Sequence, residues 1–143
     1  MTRLFATVAT VLGVAGSSLV YAATVTFKAD LQPSSEVPPK TSRGHGTLDA
    51  TYDTSSRVLQ WTAAYADLSG PASAAHFHGP APVGQNAGIQ VPVDKHALAS
   101  PILGHAMLND EQAGELLAGK WYFNVHTAQN PGGEIRGQVL RTN

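Results

Sequence analysis

Large apolar and small or polar side chains alternate along Val58–Ala66, which reads VLQWTAAYA, with Leu59, Trp61 and Tyr65 at every second position or a multiple of it. Because successive side chains of a β-strand point to opposite faces, every second residue of this stretch lies on one face. The residues of that face are Leu59, Trp61, Ala63 and Tyr65. The stretch therefore predicts a half-buried strand of an antiparallel sheet.

The same alternation recurs in the neighbouring segments. Residues 24–31 (TVTFKADL) alternate apolar and polar side chains, and residues 48–52 (LDATY) do so again. The polar run at 53–56 (DTSS) supplies a turn, which predicts a hairpin between the second and third strands. Further strands are predicted at 74–78, 89–93, 120–127 and 133–141, with a loop at 97–104.

A single helix is predicted at 110–118. Asn109 is a suitable N-cap, Gln112 follows three residues later as in a capping box, and Gly119 follows the last turn. Many short strands with one small helix predict an antiparallel β-sandwich or β-barrel in a single domain.

The first residues of the chain predict export. Arg3 gives a positive start, residues 4–20 are apolar and small, and Ala22 belongs to a small-residue junction. This arrangement is typical of a secretory signal peptide and is too short for a membrane-spanning helix with its flanks. We therefore expect a signal peptide at 1–22, a mature domain at 23–143, a periplasmic or secreted location, and no membrane span.

Composition excludes several classes of protein. The chain has no cysteine, so it uses neither disulfides nor thiolate ligands, and an ordinary core must stabilise it. Its net charge is −1 and only 13% of its residues are charged, so it lacks the basic stripe that nucleic-acid binding requires. The sequence also contains no nucleophile elbow, phosphate loop or dinucleotide-binding fingerprint.

Three histidines stand out by their positions in predicted strands. His76 and His78 lie two residues apart, so strand alternation puts both imidazoles on one face and Phe77 in the core. His126 lies on the outward face of a second alternating stretch, 122–127 (YFNVHT). Imidazoles on neighbouring strands can ligate copper, zinc or nickel, and hydrogen-bonded polar residues at strand ends are the alternative. Metal binding should weaken near pH 6.5, where ordinary histidines become protonated.

Polar residues of the last hairpin could support these histidines. If residues 127–133 close the turn symmetrically, His126 lies opposite Glu134, and Asn124 lies opposite Arg136. Glu134 would then orient the His126 imidazole as an outer partner, with Arg136 and Asn124 beside it. A surface ion pair of Glu134 with Arg136 or a neighbouring residue, worth about 0–1 kcal/mol, is the alternative.

The other three histidines give weaker signals. His45 lies between two glycines in a segment expected to be flexible, and His96 and His105 flank the predicted loop at 97–104. Loop histidines are usually solvated, so we assign them no role.

Four ordered motifs resemble the chordin-type domain called CHRD. They are EVPP at 36–39, AHFHGPA at 75–81, GKWYFNVHT at 119–127 and PGGEIRGQ at 131–138. The resemblance covers nearly the whole mature chain, from about Val25 to Leu140. It implies an exported domain of the kind found in chordin and in many microbial proteins, and it implies fold and location more than a biochemical role.

A second resemblance is to the copper,zinc superoxide dismutases, whose fold is an immunoglobulin-like β-sandwich. Those enzymes hold copper partly through a His-x-His strand and a later strand-end histidine, followed by an arginine. His76, His78, His126 and Arg136 occur here in the same order, without a bridging histidine, a zinc loop or a cysteine pair. The resemblances imply an all-β, antiparallel immunoglobulin-like or superoxide dismutase-like Greek-key sandwich with one short helix and a mononuclear copper or zinc site.

Three functions are compatible with these features. The favoured one is an exported CHRD-domain protein that binds a transition metal, copper before zinc, through His76, His78 and His126. The alternative is a noncatalytic extracellular interaction module whose partner is an extracellular or periplasmic protein. A superoxide-handling enzyme is the remote third, since no residue pattern indicates catalysis.

Overall fold

Nine β-strands, one α-helix and a short 3-10 helix are found in residues 22–142, the part of the chain that this computed structural model describes. The strands are β1 (Thr24–Leu31), β2 (His45–Asp53), β3 (Val58–Ala66), β4 (Ala72–His78), β5 (Ile89–Pro92), β6 (Ile102–Met107), β7 (Tyr122–Thr127), β8 (Ile135–Gln138) and β9 (Leu140–Arg141). The helices are α1 (Asp110–Leu117) and the 3-10 helix (Pro33–Ser35). The predicted signal peptide lies outside the described residues except for Ala22, so it stays a prediction.

The strands form two antiparallel sheets. One sheet has the order β6-β3-β2-β1-β9, and the other has the order β5-β4-β7-β8. Strands β1, β2 and β3 pair consecutively, from Thr24 opposite Asp53 in the first hairpin to Asp53 opposite Val58 in the second. The predicted antiparallel β-sandwich with one short helix is therefore confirmed.

The core lies between the sheets and is built from alternate strand residues. Leu59, Trp61 and Ala63 of β3 are buried, as predicted. The Phe77 ring connects the two sheets, because its centroid lies 5.0 Å from that of Trp61 and 4.9 Å from that of Phe123, both in edge-to-face contacts. Burial of such apolar surface, at about 25 cal/mol per Å², is the main force that stabilises the sandwich.

Helix α1 begins with the predicted capping box. Asn109 Oδ1 accepts a hydrogen bond from Gln112 N at 2.9 Å, and Asn109 N donates to Gln112 Oε1 at 3.1 Å. Gly119 follows the helix with a φ of 70°, the left-handed conformation that glycine adopts at helix ends. Among residues 22–142, no helix is long and apolar enough to cross a membrane.

Two sequence predictions about β3 and its surroundings are wrong. The predicted loop at 97–104 contains the start of β6, which pairs with β3. Alternation in β6 is interrupted at Gly104 because the Trp61 ring fills the space of a side chain: a Cβ added there would lie 2.2 Å from Trp61 Cζ2. Tyr65, expected on the buried face, is partly exposed, and its hydroxyl donates to Leu98 O at 2.7 Å.

The predicted last strand, 133–141, is two strands in different sheets. Strand β8 pairs with β7, and β9 pairs with β1. Val139, between them, is fully buried, and its N–H donates to Trp121 O at 2.9 Å. The chain therefore changes sheets at this residue.

Candidate metal centre

The pairing of β4 with β7 places the three predicted histidines on one face. His76 lies opposite Asn124, and His126 lies two residues further along β7. Phe77 points to the other face, where it is fully buried, so His76 and His78 share the outward face. His76 and His126 come together although 50 positions separate them in the sequence.

The imidazoles of His76, His78 and His126 form a close group, called here the histidine cluster. His76 Nδ1 lies 3.0 Å from His126 Nε2. One ligand nitrogen from each residue lies within 4.8 Å of the other two. A tetrahedral ion with bonds of about 2.0–2.1 Å needs nitrogens about 3.4 Å apart, so small side-chain rotations would bring all three to one ion.

Backbone carbonyl groups fix the protons on two of these rings. His78 Nδ1 donates to Ala87 O at 3.0 Å, and His126 Nδ1 donates to Pro131 O at 2.9 Å. Since Nδ1 carries the proton in each neutral ring, Nε2 carries a lone pair. Carbonyl hydrogen bonds of this kind orient metal-binding imidazoles in proteins.

One of these lone pairs has no partner. His78 is 9% exposed, and its Nε2 is buried without a hydrogen bond from any of residues 22–142. A buried polar atom in this situation costs about 1–3 kcal/mol and requires an explanation, such as an ion or a functional role. His78 Nε2 is therefore the atom in the cluster that most clearly indicates a ligand.

Burial also favours the neutral form of the three rings. Desolvation lowers the pKa of His78 and that of His126 below their ordinary value of 6.5. For His76, desolvation, together with the repulsion that protonated His126 and His78 would exert, lowers the pKa to about 4. All three rings are then neutral at neutral pH, the protonation state that a metal ion requires.

Loops cover the face that carries the cluster. Residues 79–88 lie against it, because the Tyr122 hydroxyl donates to Ala87 O at 3.3 Å. This loop is joined to a second segment where Asn86 Nδ2 donates to Val37 O at 3.0 Å. As a result, all six residues of β7 are buried, although alternate residues were expected to face outward.

Asn124 is the predicted supporting residue that touches the cluster. It lies opposite Arg136 across β7 and β8, as predicted. Its Oδ1 lies 2.9 Å from His126 Nε2, and its Nδ2 donates to Glu36 Oε1 at 3.4 Å. With 2% exposure, the Asn124 amide is a buried polar group between the cluster and a buried carboxyl.

Arg136 supports the site indirectly, because its guanidinium donates hydrogen bonds to the covering loop and not to an imidazole. Its Cζ lies 3.4 Å from the centroid of the Tyr122 ring, which stacks on His78 with centroids 4.8 Å apart and an angle of 3° between planes. The guanidinium donates to Asn86 Oδ1 at 2.9 Å and to Gln85 O. Arg136 therefore holds the covering loop and the ring that packs on His78.

The orienting role predicted for Glu134 is wrong. Strands β7 and β8 pair in register as far as Val125 opposite Ile135. The next backbone hydrogen bond, from Glu134 N to Val125 O at 2.8 Å, is shifted by one residue relative to that register. The carboxylate consequently binds other groups, not His126. Its donors are Ser42 Oγ, Ser69 N and Oγ, Thr127 Oγ1 and Asn130 Nδ2. The alternative of a surface ion pair with Arg136 is also wrong, because both side chains are buried.

Glu36 and Tyr122 belong to the site, but sequence reasoning did not identify them. Glu36 is 3% exposed, and burial raises the pKa of its carboxyl, against the opposing effect of the Arg136 charge. The only sequence feature that pointed to Glu36 is its position in the motif EVPP at 36–39. Tyr122 shares strand parity with Asn124, which could have placed it on the same face.

The remaining histidines lie outside the cluster, and all three are exposed. His45 begins β2 instead of lying in a flexible segment, and its Nδ1 is 3.1 Å from Arg43 O. His105 lies in β6, and His96 follows β5 in a turn.

The fold and the cluster define a small β-sandwich domain with a group of three histidines, two buried and one partly buried, on one face. The family model described as CHRD domain matches residues 27–139 of the chain. The chain therefore belongs to the CHRD domain family, which confirms the resemblance carried by its four motifs. No curated protein and no solved structure matches the chain significantly.

Proposed function

We propose that this CHRD domain binds one transition-metal ion through His76, His78 and His126. The observation that carries the proposal is His78 Nε2, a buried lone pair without a hydrogen-bond partner among the described residues. Ligand nitrogens of the other two rings lie within 4.8 Å of it and of each other. An ion bound here would use the His78 lone pair and offset the cost of its burial.

The donor set favours copper, with zinc second. Three imidazoles suit both Cu(II) and Zn(II), and the Irving–Williams order ranks Cu(II) higher wherever geometry does not select against it. The chain has no cysteine to supply thiolate ligands. Mg²⁺ should not compete, since it prefers oxygen ligands and gives up its water reluctantly.

Calorimetric titration of the purified, metal-free protein tests this proposal. We expect saturable binding of one Cu(II) per chain, weaker binding of Zn(II), and no measurable binding of Mg²⁺. Protein that shows no saturable Cu(II) or Zn(II) binding would contradict the proposal.

Metal binding should resist mild acid better than ordinary histidines allow. Three rings with the ordinary pKa of 6.5 would lose affinity about 30-fold between pH 7 and pH 6, because each must be neutral to bind. Burial lowers all three pKa values, and that of His76 to about 4, so proton competition begins at lower pH. Competition titrations at pH 7 and pH 6 should differ less than about tenfold. A loss near 30-fold would show that the rings titrate as exposed histidines do.

An extracellular interaction module is the second candidate, and family membership supports it. In that case the cluster would stabilise the covering loops, and a secreted or periplasmic protein would be the partner. Metal analysis of the protein purified from its native compartment separates the two candidates. About one copper or zinc per chain supports metal binding, whereas metal-free protein supports the module. A dismutation assay on copper-loaded protein would test the superoxide hypothesis.

A further inference from the structure

The Asn124 side chain places one hydrogen-bond acceptor, Oδ1, against another acceptor, Nε2 of His126. His126 Nδ1 donates to Pro131 O, so His126 Nε2 carries a lone pair. Asn124 Oδ1, which also accepts and cannot donate, lies 2.9 Å from that nitrogen. Two acceptors at this distance repel each other unless a proton or a metal cation lies between them.

Glu36 accounts for the orientation of the Asn124 amide. The amide nitrogen of Asn124 donates to Glu36 Oε1, which leaves Oδ1 directed at His126. Space for this contact depends on Gly133, whose φ is 121° and whose missing side chain leaves room. A Cβ added at Gly133 would lie 2.2 Å from Glu36 Oε1 and 2.7 Å from Asn124 Nδ2. The glycine at position 133 therefore leaves the space in which Glu36 and Asn124 make their hydrogen bond.

We propose that Asn124 Oδ1 is a fourth ligand of the ion held by the histidine cluster, and that Glu36 is the positioning residue that aims it. The proposal rests on the proposed function. It gives a neutral donor set of three nitrogens and one oxygen, with a carboxyl group directly behind the amide. Such a set suits divalent ions such as Cu(II) and Zn(II), and it disfavours Cu(I), which prefers soft sulfur ligands.

Cu(II) affinity and the Cu(II) electron paramagnetic resonance spectrum test the assignment. Asn124→Ala should lower the affinity at least about tenfold and should change the hyperfine splitting, because an equatorial or axial oxygen is lost. Glu36→Ala should also lower the affinity about tenfold, since the amide then rotates freely. Glu36→Gln still offers an acceptor, so it should retain the spectrum of the unmodified protein.

An exchange of the two functional groups gives the sharpest control. In the double variant Glu36→Gln with Asn124→Asp, the glutamine amide donates to the aspartate, and the aspartate still directs one oxygen at the ion. Affinity within about threefold of the unmodified protein is expected, and this rescue would not occur if Asn124 served His126 only as a hydrogen-bond donor. If Asn124→Ala fails to fold, the double variant still tests the ligand role, because it keeps a polar side chain at both positions.

Each outcome has one meaning. Failure of the unmodified protein to bind Cu(II) would overturn the proposed function. Normal Cu(II) binding with an unchanged affinity and spectrum in Asn124→Ala would overturn the fourth ligand alone. A double variant as weak as Asn124→Ala would likewise overturn it, and tighter binding of Cu(I) than of Cu(II) would overturn the preference for divalent ions.

Discussion

Replacing His78 and His126 together with glutamine should abolish Cu(II) uptake and leave the fold in place. Both substitutions remove an Nε2 lone pair that a carbonyl hydrogen bond now orients, and His76 alone cannot hold an ion tightly. Glutamine retains a polar side chain beside Ala87 O. We expect no saturable binding in the titration that detects one Cu(II) in the unmodified protein, a loss of at least about 100-fold.

The matched control is the double variant His96→Gln with His105→Gln. It removes two exposed histidines outside the cluster, so Cu(II) affinity should be retained. The thermal transition of the His78 and His126 variant should fall by no more than about 10 °C, because each lost hydrogen bond costs about 1 kcal/mol. The far-UV spectrum should be that of a β protein with or without a chelator, since the apolar core needs no metal. Equal Cu(II) uptake by this variant and the control would contradict the three-histidine site.

The fold could be predicted because its main signal is local. Period-two alternation in Val58–Ala66 and in Thr24–Leu31 is a property of neighbouring residues, so no partner strand had to be known. Strand β6 escaped prediction because its pattern depends on a distant residue. Gly104 lacks a side chain where the Trp61 ring lies, and that packing cannot be read from residues 102–107 alone.

Strand parity also explains which part of the site could be predicted. It places His76 and His78 on one face and gives His126 the same parity as Asn124, so only the adjacency of β4 and β7 remained to be supplied. The burial of the cluster could not be predicted, since it depends on the loop at 79–88. The contact of Glu36 with Asn124 joins residues 88 positions apart, and no local pattern connects them.

Strand parity does not predict the position of the Glu134 carboxylate correctly. A symmetric turn would put its carboxylate beside His126, but Gly133 adopts a φ of 121° and the next backbone hydrogen bond is offset. The carboxylate instead joins three segments of the chain through Ser42, Ser69 and Thr127. Its role is thus to hold loops at one end of the sandwich, near the histidine cluster but independent of it.

Glu134→Gln should be among the most destabilising single substitutions in the domain. The carboxylate is fully buried and accepts hydrogen bonds from Ser42, Ser69, Thr127 and Asn130. A glutamine would point an N–H₂ group at some of these donors, which leaves buried polar groups unpaired. Chemical denaturation at pH 7 should show a loss of about 3 kcal/mol or more in the free energy of unfolding.

The pH dependence of stability distinguishes this network from simple packing. Burial alone would raise the pKa of the Glu134 carboxyl, but hydrogen bonds from Ser69, Thr127 and Ser42 outweigh it and lower the pKa to about 2, from an ordinary 4.5. Because the unfolded chain then binds more protons, the contribution is present above pH 4.5 and is lost as the pH falls toward 2, by up to about 3 kcal/mol. That part of the pH dependence should be missing from Glu134→Gln and retained in Asp49→Asn, a control that removes an exposed carboxylate paired with Lys28 at 2.6 Å. Equal pH profiles for the two variants between pH 4.5 and 2 would show that the Glu134 carboxylate is not held in its charged form by these loops.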